Sequence, residues 1–464
     1  MPHQESLTII DQIKPGQIEA LKELLGTLAG HRDTWEVIPF KALSNVHFAR
    51  ILVLDEAKAR SSDRPSSRRA HLEARVVPSR LVMLTDIDAP LDAHLRDLAT
   101  TCGEGMDRVF GHCQGFPAPG ARTADSRMAY LRRHAVPSRV SYVNRLGRSV
   151  QQIRQEAELR RAIDGHLDTR DFSGKSPMEV RAAIQEFVRS QPALHWATSP
   201  AEPPALSWRI KEALHKTLPA AAAVLLGPII LVLLPIWLIL LRRHEKSDVP
   251  DDVPARAEAL RMYRADEDFG GQNQILAIGF FKPGMFRAIT ANAILGLADY
   301  AVRHIYNRGT LSGLNTIHFA RWVPLDDNTR MFFSSNYDGS LESYMNDFID
   351  KAAWGLNAIF SNGDGFPRTA YLFCGGITDE QAYKRFLPTR QVQSRVWYSA
   401  YKGLSTKNIA NNAEIRAGLF ARLDADQTEA WLRRFGAGNQ LPTPGLVARF
   451  LNRIRWDRIC HGSS

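Results

Sequence analysis

Four polar residues occur twice in this chain, in the same order: His47 and His318, Arg50 and Arg321, Asp88 and Asp338, Arg139 and Arg395. A histidine beside a carboxylate can shuttle a proton, and a guanidinium can steady an anion. The same side chains on strands can instead hold a fold, by pairing His with Asp or by hydrogen bonding a loop. A single site needs only one copy of each residue, so residues kept in both halves are expected to serve the fold. The places where the halves differ are more informative: His112, Cys113 and Gln114 stand against Asn362, Gly363 and Asp364. Asp-Gly at 338–339 and 364–365 reads as a turn or helix cap. No P-loop, dinucleotide fingerprint, HExxH or GxSxG motif is present, and spacing alone assembles no nucleophile–base–acid set.

The elements that carry these residues are legible from periodicity. Strands are expected at Ser6–Ile13, Leu43–Asp55, Arg80–Asp86 and Ser138–Asn144, with helices near 17–29 and 91–110. The order is βαββαβ, the ferredoxin-like arrangement. The second half repeats it: Lys282-Pro283-Gly284 matches Lys14-Pro15-Gly16, and His-Phe-Ala-Arg stands at 47–50 and again at 318–321. Residues 330–367 align without a gap on 80–117, sharing Gly-Phe-Pro at the end.

Between the halves lies Leu218–Leu241, 24 residues without a charge. As a helix it reaches about 36 Å, enough to cross a bilayer core of about 30 Å. Lys211, His215 and Lys216 precede it, and Arg242, Arg243, His244 and Lys246 follow. Pro219, Pro228 and Pro235 interrupt it, and Gly227-Pro228 is a turn signal. Two readings stand open: a re-entrant hairpin bent at Gly227, and a kinked single span. The hairpin is preferred, because pairing of the halves needs both on one side.

The formal charge is +10, and residues 57–79 carry six Lys/Arg against two acids. That Ser-, Pro- and Arg-rich stretch reads as a solvated loop, either without a partner or drawn to anionic headgroups. No aromatic-interleaved basic motif points to nucleic acid. Cys102, Cys113, Cys374 and Cys460 show no CxxC or zinc spacing, so reduced thiols in a cytoplasmic setting are expected and no metal. Residues 441–456 form a basic amphipathic tail, expected to dock on the core or to lie on a membrane surface.

A four-stranded antiparallel sheet with helices on one face leaves the other face bare, and two copies can cover each other. That pairing resembles the dimeric α+β-barrel superfamily, which includes dye-decolourising peroxidases and chlorite dismutases. The resemblance covers about two-thirds of the chain and rests on strand order and duplication. It implies haem, with His112 or His318 on the iron, Asp338 or Asp364 as the acid, and Arg321 or Arg395 as the cation.

The expected organisation is α+β: two ferredoxin-like repeats, 1–150 and 273–403, paired sheet to sheet as a pseudo-dimer. Helical extensions are expected at 151–216 and 404–464, the membrane segment at 217–242 and a linker at 243–272. The candidate catalytic residues are His318, Arg321, Asp338 and Arg395; the candidate haem ligand is His112. The expected role is binding a small apolar ligand or lipid between the repeats or beside the bilayer. A haem-dependent peroxidase-like oxidoreductase and a membrane scaffold for a partner enzyme are the competing expectations. Both soluble parts are expected on the cytoplasmic side of an inner membrane.

Overall fold

The computed structural model describes residues 3–30, 37–58, 76–200, 203–251 and 271–436, and positions 267, 447 and 450. Eight main strands alternate with helices: β1 (Gln4–Gln12), β2 (Val46–Leu54), β3 (Arg80–Asp88), β4 (Val140–Val143), β5 (Gln272–Phe280), β6 (Ile317–Leu325), β7 (Arg330–Asp338) and β8 (Val396–Ser399). They form two antiparallel four-stranded sheets, ordered β1-β3-β2-β8 and β4-β6-β7-β5. The fold class is α+β, with both sheets antiparallel.

Each sheet takes its last strand from the other half of the chain. Tyr142 of β4 pairs with Ala320 of β6, and Tyr398 of β8 pairs with Ala49 of β2. The segments leading into these strands stay at home. Val136 N donates to Thr8 O beside β1, and Val392 N donates to Leu276 O beside β5. Each last strand therefore begins on the edge of one sheet and ends on the edge of the other. Backbone bonds at residues 134–136 and 390–392 thereby pair part of the outer edges of β1 and β5.

Period-two alternation explains the layers. One face of each sheet packs on helices: Ile9, Ile51 and Met83 against α1 (Ile18–Gly30), α2 (Leu91–Thr100), α3 (Gly103–Phe110) and α4 (Ala124–Arg133) in one core. The second core holds Trp322 and Phe333, with further helices of the second half described below. Between the sheets Ile10, Leu52, Val82 and Leu84 meet Leu276, Val323 and Phe332. A fourth core joins α5 (Val150–Asp168) and α6 (Pro177–Ser190) of the first half to helices 406–420 and 425–432 of the second.

α7 (Leu206–Lys246) is one continuous helix of 41 residues with all three prolines inside it. The re-entrant hairpin is therefore corrected. An internal proline costs one hydrogen bond and kinks a helix without obliging the chain to turn. α7 also takes up the first residues of the expected linker. α8 (Met285–His304), α9 (Leu341–Phe360), α10 (Glu380–Phe386), α11 (Thr406–Phe420) and α12 (Ala425–Leu432) complete the second half.

The single helix expected at 91–110 is two, α2 and α3. The break falls at Thr101–Cys102; a Cβ at Gly105, in the first turn of α3, would lie 1.6 Å from Val37 O, so α3 packs directly on the backbone there. The thiols also differ from expectation. Cys102 and Cys113 are free and buried, but Cys374 is disulfide-bonded. Most of the basic loop 57–79, Cys460 and most of the tail 441–456 lie outside the described residues.

Candidate functional site

The sheet faces turned toward each other hold Arg50 and Arg321. Arg50 is in phase with Leu52 and Leu54, and Arg321 with Val323 and Leu325, so both point between the sheets. Each is 2 % exposed and reaches the opposite sheet. Arg321 donates to Leu7 O (2.8 Å) and Thr85 O (2.9 Å), and pairs with Asp86. Arg50 donates to Ile275 O (2.9 Å), Ser335 O (2.6 Å) and Asn336 Oδ1 (2.6 Å). Asn336 stands where Asp86 stands in the first half, and its Nδ2 donates to Asp86 Oδ2 (3.1 Å). Arg321 therefore bears on the Asp86 carboxylate directly and Arg50 bears on it through Asn336. Burial pushes Arg50 down to about 9, opposed chiefly by the charge of Asp86.

His47 and His318 sit at matching bulges. Val46 faces Ile87 while Phe48 faces Asp86, which leaves His47 as the extra residue; Ile317 and Phe319 flank His318 in the same way. A bulge re-aims its side chain. His47 Nε2 thus meets Asp88 (3.0 Å), and His318 Nε2 meets Asp338 (2.7 Å). The carboxylates go on to helix starts: Asp88 accepts from Val150 N (2.9 Å), Asp338 from Thr406 N (2.8 Å). A negative charge there satisfies orphan donors and the helix dipole.

Tyr401 completes the first pair, with its hydroxyl 3.0 Å from His47 Nδ1. Burial, with Asp86 and the two paired aspartates behind it, holds this phenol well above its usual value. A protonated phenol can donate to Nδ1 with the ring proton on Nε2 toward Asp88, or accept from Nδ1 in the other form. The Asp88–His47–Tyr401 chain has the order of a proton relay but no room for a substrate. The cavity it lines with Gln4, Arg145 and His318 holds about 20 Å³, enough for about one water molecule.

The other candidates do not converge there. Arg395 is half-buried at the entry to β8, where its backbone N donates to Ile51 O (3.0 Å). His112 lies past the far end of β1, bonded to Gln17 Oε1 (2.8 Å), with burial and then Lys14 lowering its pKa. Gln4, which shares the small cavity with His318, opens that nine-residue strand, so His112 sits about 27 Å away along it. His318 is walled by Phe48 (5.4 Å between ring centroids) and Tyr401 (6.1 Å). A haem macrocycle does not fit beside it, and Arg321 and Asp338 are spent on structural bonds. A cleft of about 430 Å³ opens at the end of the sheets bearing Gln12 and Arg80. Its central ion pair, Arg80 with Asp326, is satisfied within the protein (2.5 Å).

Among the described residues, α7 exposes a long apolar surface. It is long and apolar enough to cross a membrane, and only 6 % of its most apolar window is buried. Soluble proteins rarely expose so large a contiguous apolar area. Both ends of α7 are fastened. Near its start His215 bonds His304 (2.9 Å) and Asp299 (3.1 Å) on α8. Near its end Leu241 is fully buried, and the Glu245 carboxylate accepts from Tyr371 N and Leu372 N (both 2.8 Å) and from Thr369 Oγ1 (3.1 Å). Trp237 Nε1 reaches Thr290 on α8 (3.2 Å). Sequence reasoning found the apolar run and its basic flanks. It missed Glu245, a lone acid among those basic residues, which was the available signal for a buried lock.

Comparison with protein-family models, curated proteins and solved structures gives no match for this chain.

Proposed function

We propose that this protein is a membrane-anchored scaffold: two ferredoxin-like halves, sealed together by exchanged strands, held on a bilayer by α7. The bare length of α7 between two fastened ends carries the reading. The apolar ligand of this proposal is lipid, met at α7 beside the bilayer. The space between the sheets is occupied by aliphatic side chains and by Arg50 and Arg321, which speaks against a ligand site there. The matching contacts of His47 with Asp88 and of His318 with Asp338 support a duplicated architecture in which the repeated polar residues hold the fold.

The faces left for a partner protein are those of the helical layers. Both halves occupy one side of the membrane in this reading. The Cys374 disulfide favours an oxidising compartment over the cytoplasm. Membranes from expressing cells, washed with alkaline carbonate, test the anchor. The full chain is expected in the pellet until detergent is added, and release by carbonate alone contradicts the proposal.

A further inference from the structure

Neither half of this protein can leave the other's side of a membrane. β4 belongs to the first half and lies in the second-half sheet; β8 does the reverse. α5 and α6 share a core with α11 and α12. α7 connects these interwoven halves. A lone crossing by α7 would set its ends on opposite faces of a hydrocarbon layer about 30 Å thick. The return path is short. Ala197 is fully buried in the body, and α7 opens at Leu206. Residues 199–205 between Thr198 and Leu206 reach about 24 Å when fully extended.

The helix beside α7 is apolar at its surface too. α8 meets α7 near both ends and exposes Met285 (80 %), Ile289 (61 %) and Leu297 (67 %). A helix lying in a membrane interface ordinarily keeps one polar face toward water. α7 has none along Leu218–Leu241, and only 6 % of its most apolar window is buried, which suits a helix surrounded by acyl chains. The exposed cations Arg209, Lys211, Arg243 and Lys246 stand at its two ends, where anionic headgroups would meet them.

We infer that α7 lies within a single leaflet, with both ends on the barrel's side, and that α8 enters the same leaflet through Ile289 and Leu297. This rests on the membrane reading above and adds a topology and a second lipid-contacting helix to it.

The test uses the full chain carrying both Arg209→Cys and Lys246→Cys, reconstituted in vesicles of phosphatidylcholine and phosphatidylglycerol. A membrane-impermeant maleimide is added outside, and labels per molecule are counted by intact mass spectrometry. Cys102 and Cys113 are buried, so the new thiols dominate the signal. Whatever the orientation of each molecule, a one-sided helix gives two labels or none. One label on every molecule means a crossing and overturns the inference while leaving the anchor intact. Failure of the protein to float with the vesicles overturns the anchor itself. The Ile289→Asp/Leu297→Asp variant is expected to lower the vesicle-bound fraction about tenfold or more. Unchanged binding removes α8 from the contact.

Discussion

Replacing Asp86 with asparagine keeps the shape of the intersheet junction and removes its charge. Asp86 is 4 % exposed. It pairs with Arg321 and accepts from Asn336 Nδ2, whose Oδ1 in turn accepts from Arg50 (2.6 Å). In Asp86→Asn buried Arg321 loses its carboxylate partner, and buried Arg50 loses the negative charge that reaches it past Asn336. Breaking a buried pair by removing one partner costs about 3–5 kcal/mol, because the remaining charge stays desolvated. The comparison variant is Asp92→Asn. Its partner Arg132 is 2.9 Å away, but the two side chains are 72 % and 52 % exposed. Exposed pairs contribute about 0–1 kcal/mol. Urea unfolding followed by circular dichroism should show a large fall in midpoint for Asp86→Asn and almost none for Asp92→Asn, with unchanged slopes. A loss below about 1 kcal/mol in Asp86→Asn would refute the claim that the arginines are charge-dependent clamps between the sheets.

Other consequences are equally direct. His94 is buried, and burial lowers its pKa to about 3, so the folded protein holds it neutral. The unfolded chain takes up that proton from pH 6.5 downward, so this residue withdraws roughly 1.4 kcal/mol per pH unit as pH falls from about 6.5 to about 3. His94→Gln, which can still bond Thr85, should flatten the acid limb of the stability curve; an unchanged limb contradicts this. Absorption spectra of protein from haem-replete cells should show no Soret band, with or without added haem. A stoichiometric band lost in His112→Ala or His318→Ala overturns the packing argument. In protein denatured without reductant and alkylated, peptide mass spectrometry should find Cys102 and Cys113 alkylated and Cys374 not; alkylated Cys374 contradicts its disulfide.

Most strands and helices were legible because alternation and the repeated Lys-Pro-Gly, His-Phe-Ala-Arg and Gly-Phe-Pro runs mark them. The intersheet face was legible too, since Arg50 stands in phase with Leu52 and Leu54. An arginine at that parity has to find acceptors inside. The strand exchange was not legible. Val140–Val143 and Val396–Ser399 are four residues long, and their alternation fits either sheet edge equally well. The bulges hid the histidines, because strict alternation puts His47 on the face opposite Phe48 and Arg50. The straight-through course of α7 was obscured by Gly227-Pro228, whose turn preference loses to the surrounding helix. Nothing in the spacing of four cysteines announced the bond at Cys374.

Flotation of the full chain with phosphatidylcholine–phosphatidylglycerol vesicles tests the membrane anchor most directly. Leu225 and Val232 are 79 % and 72 % exposed on α7, so Leu225→Arg/Val232→Arg disturbs no core. Two arginines in the apolar layer oppose insertion by roughly 5 kcal/mol. The account predicts that the unaltered protein floats and that the double variant stays at the bottom of the gradient with an unchanged circular dichroism spectrum. Equal flotation of the two, or no flotation of the unaltered protein, contradicts it.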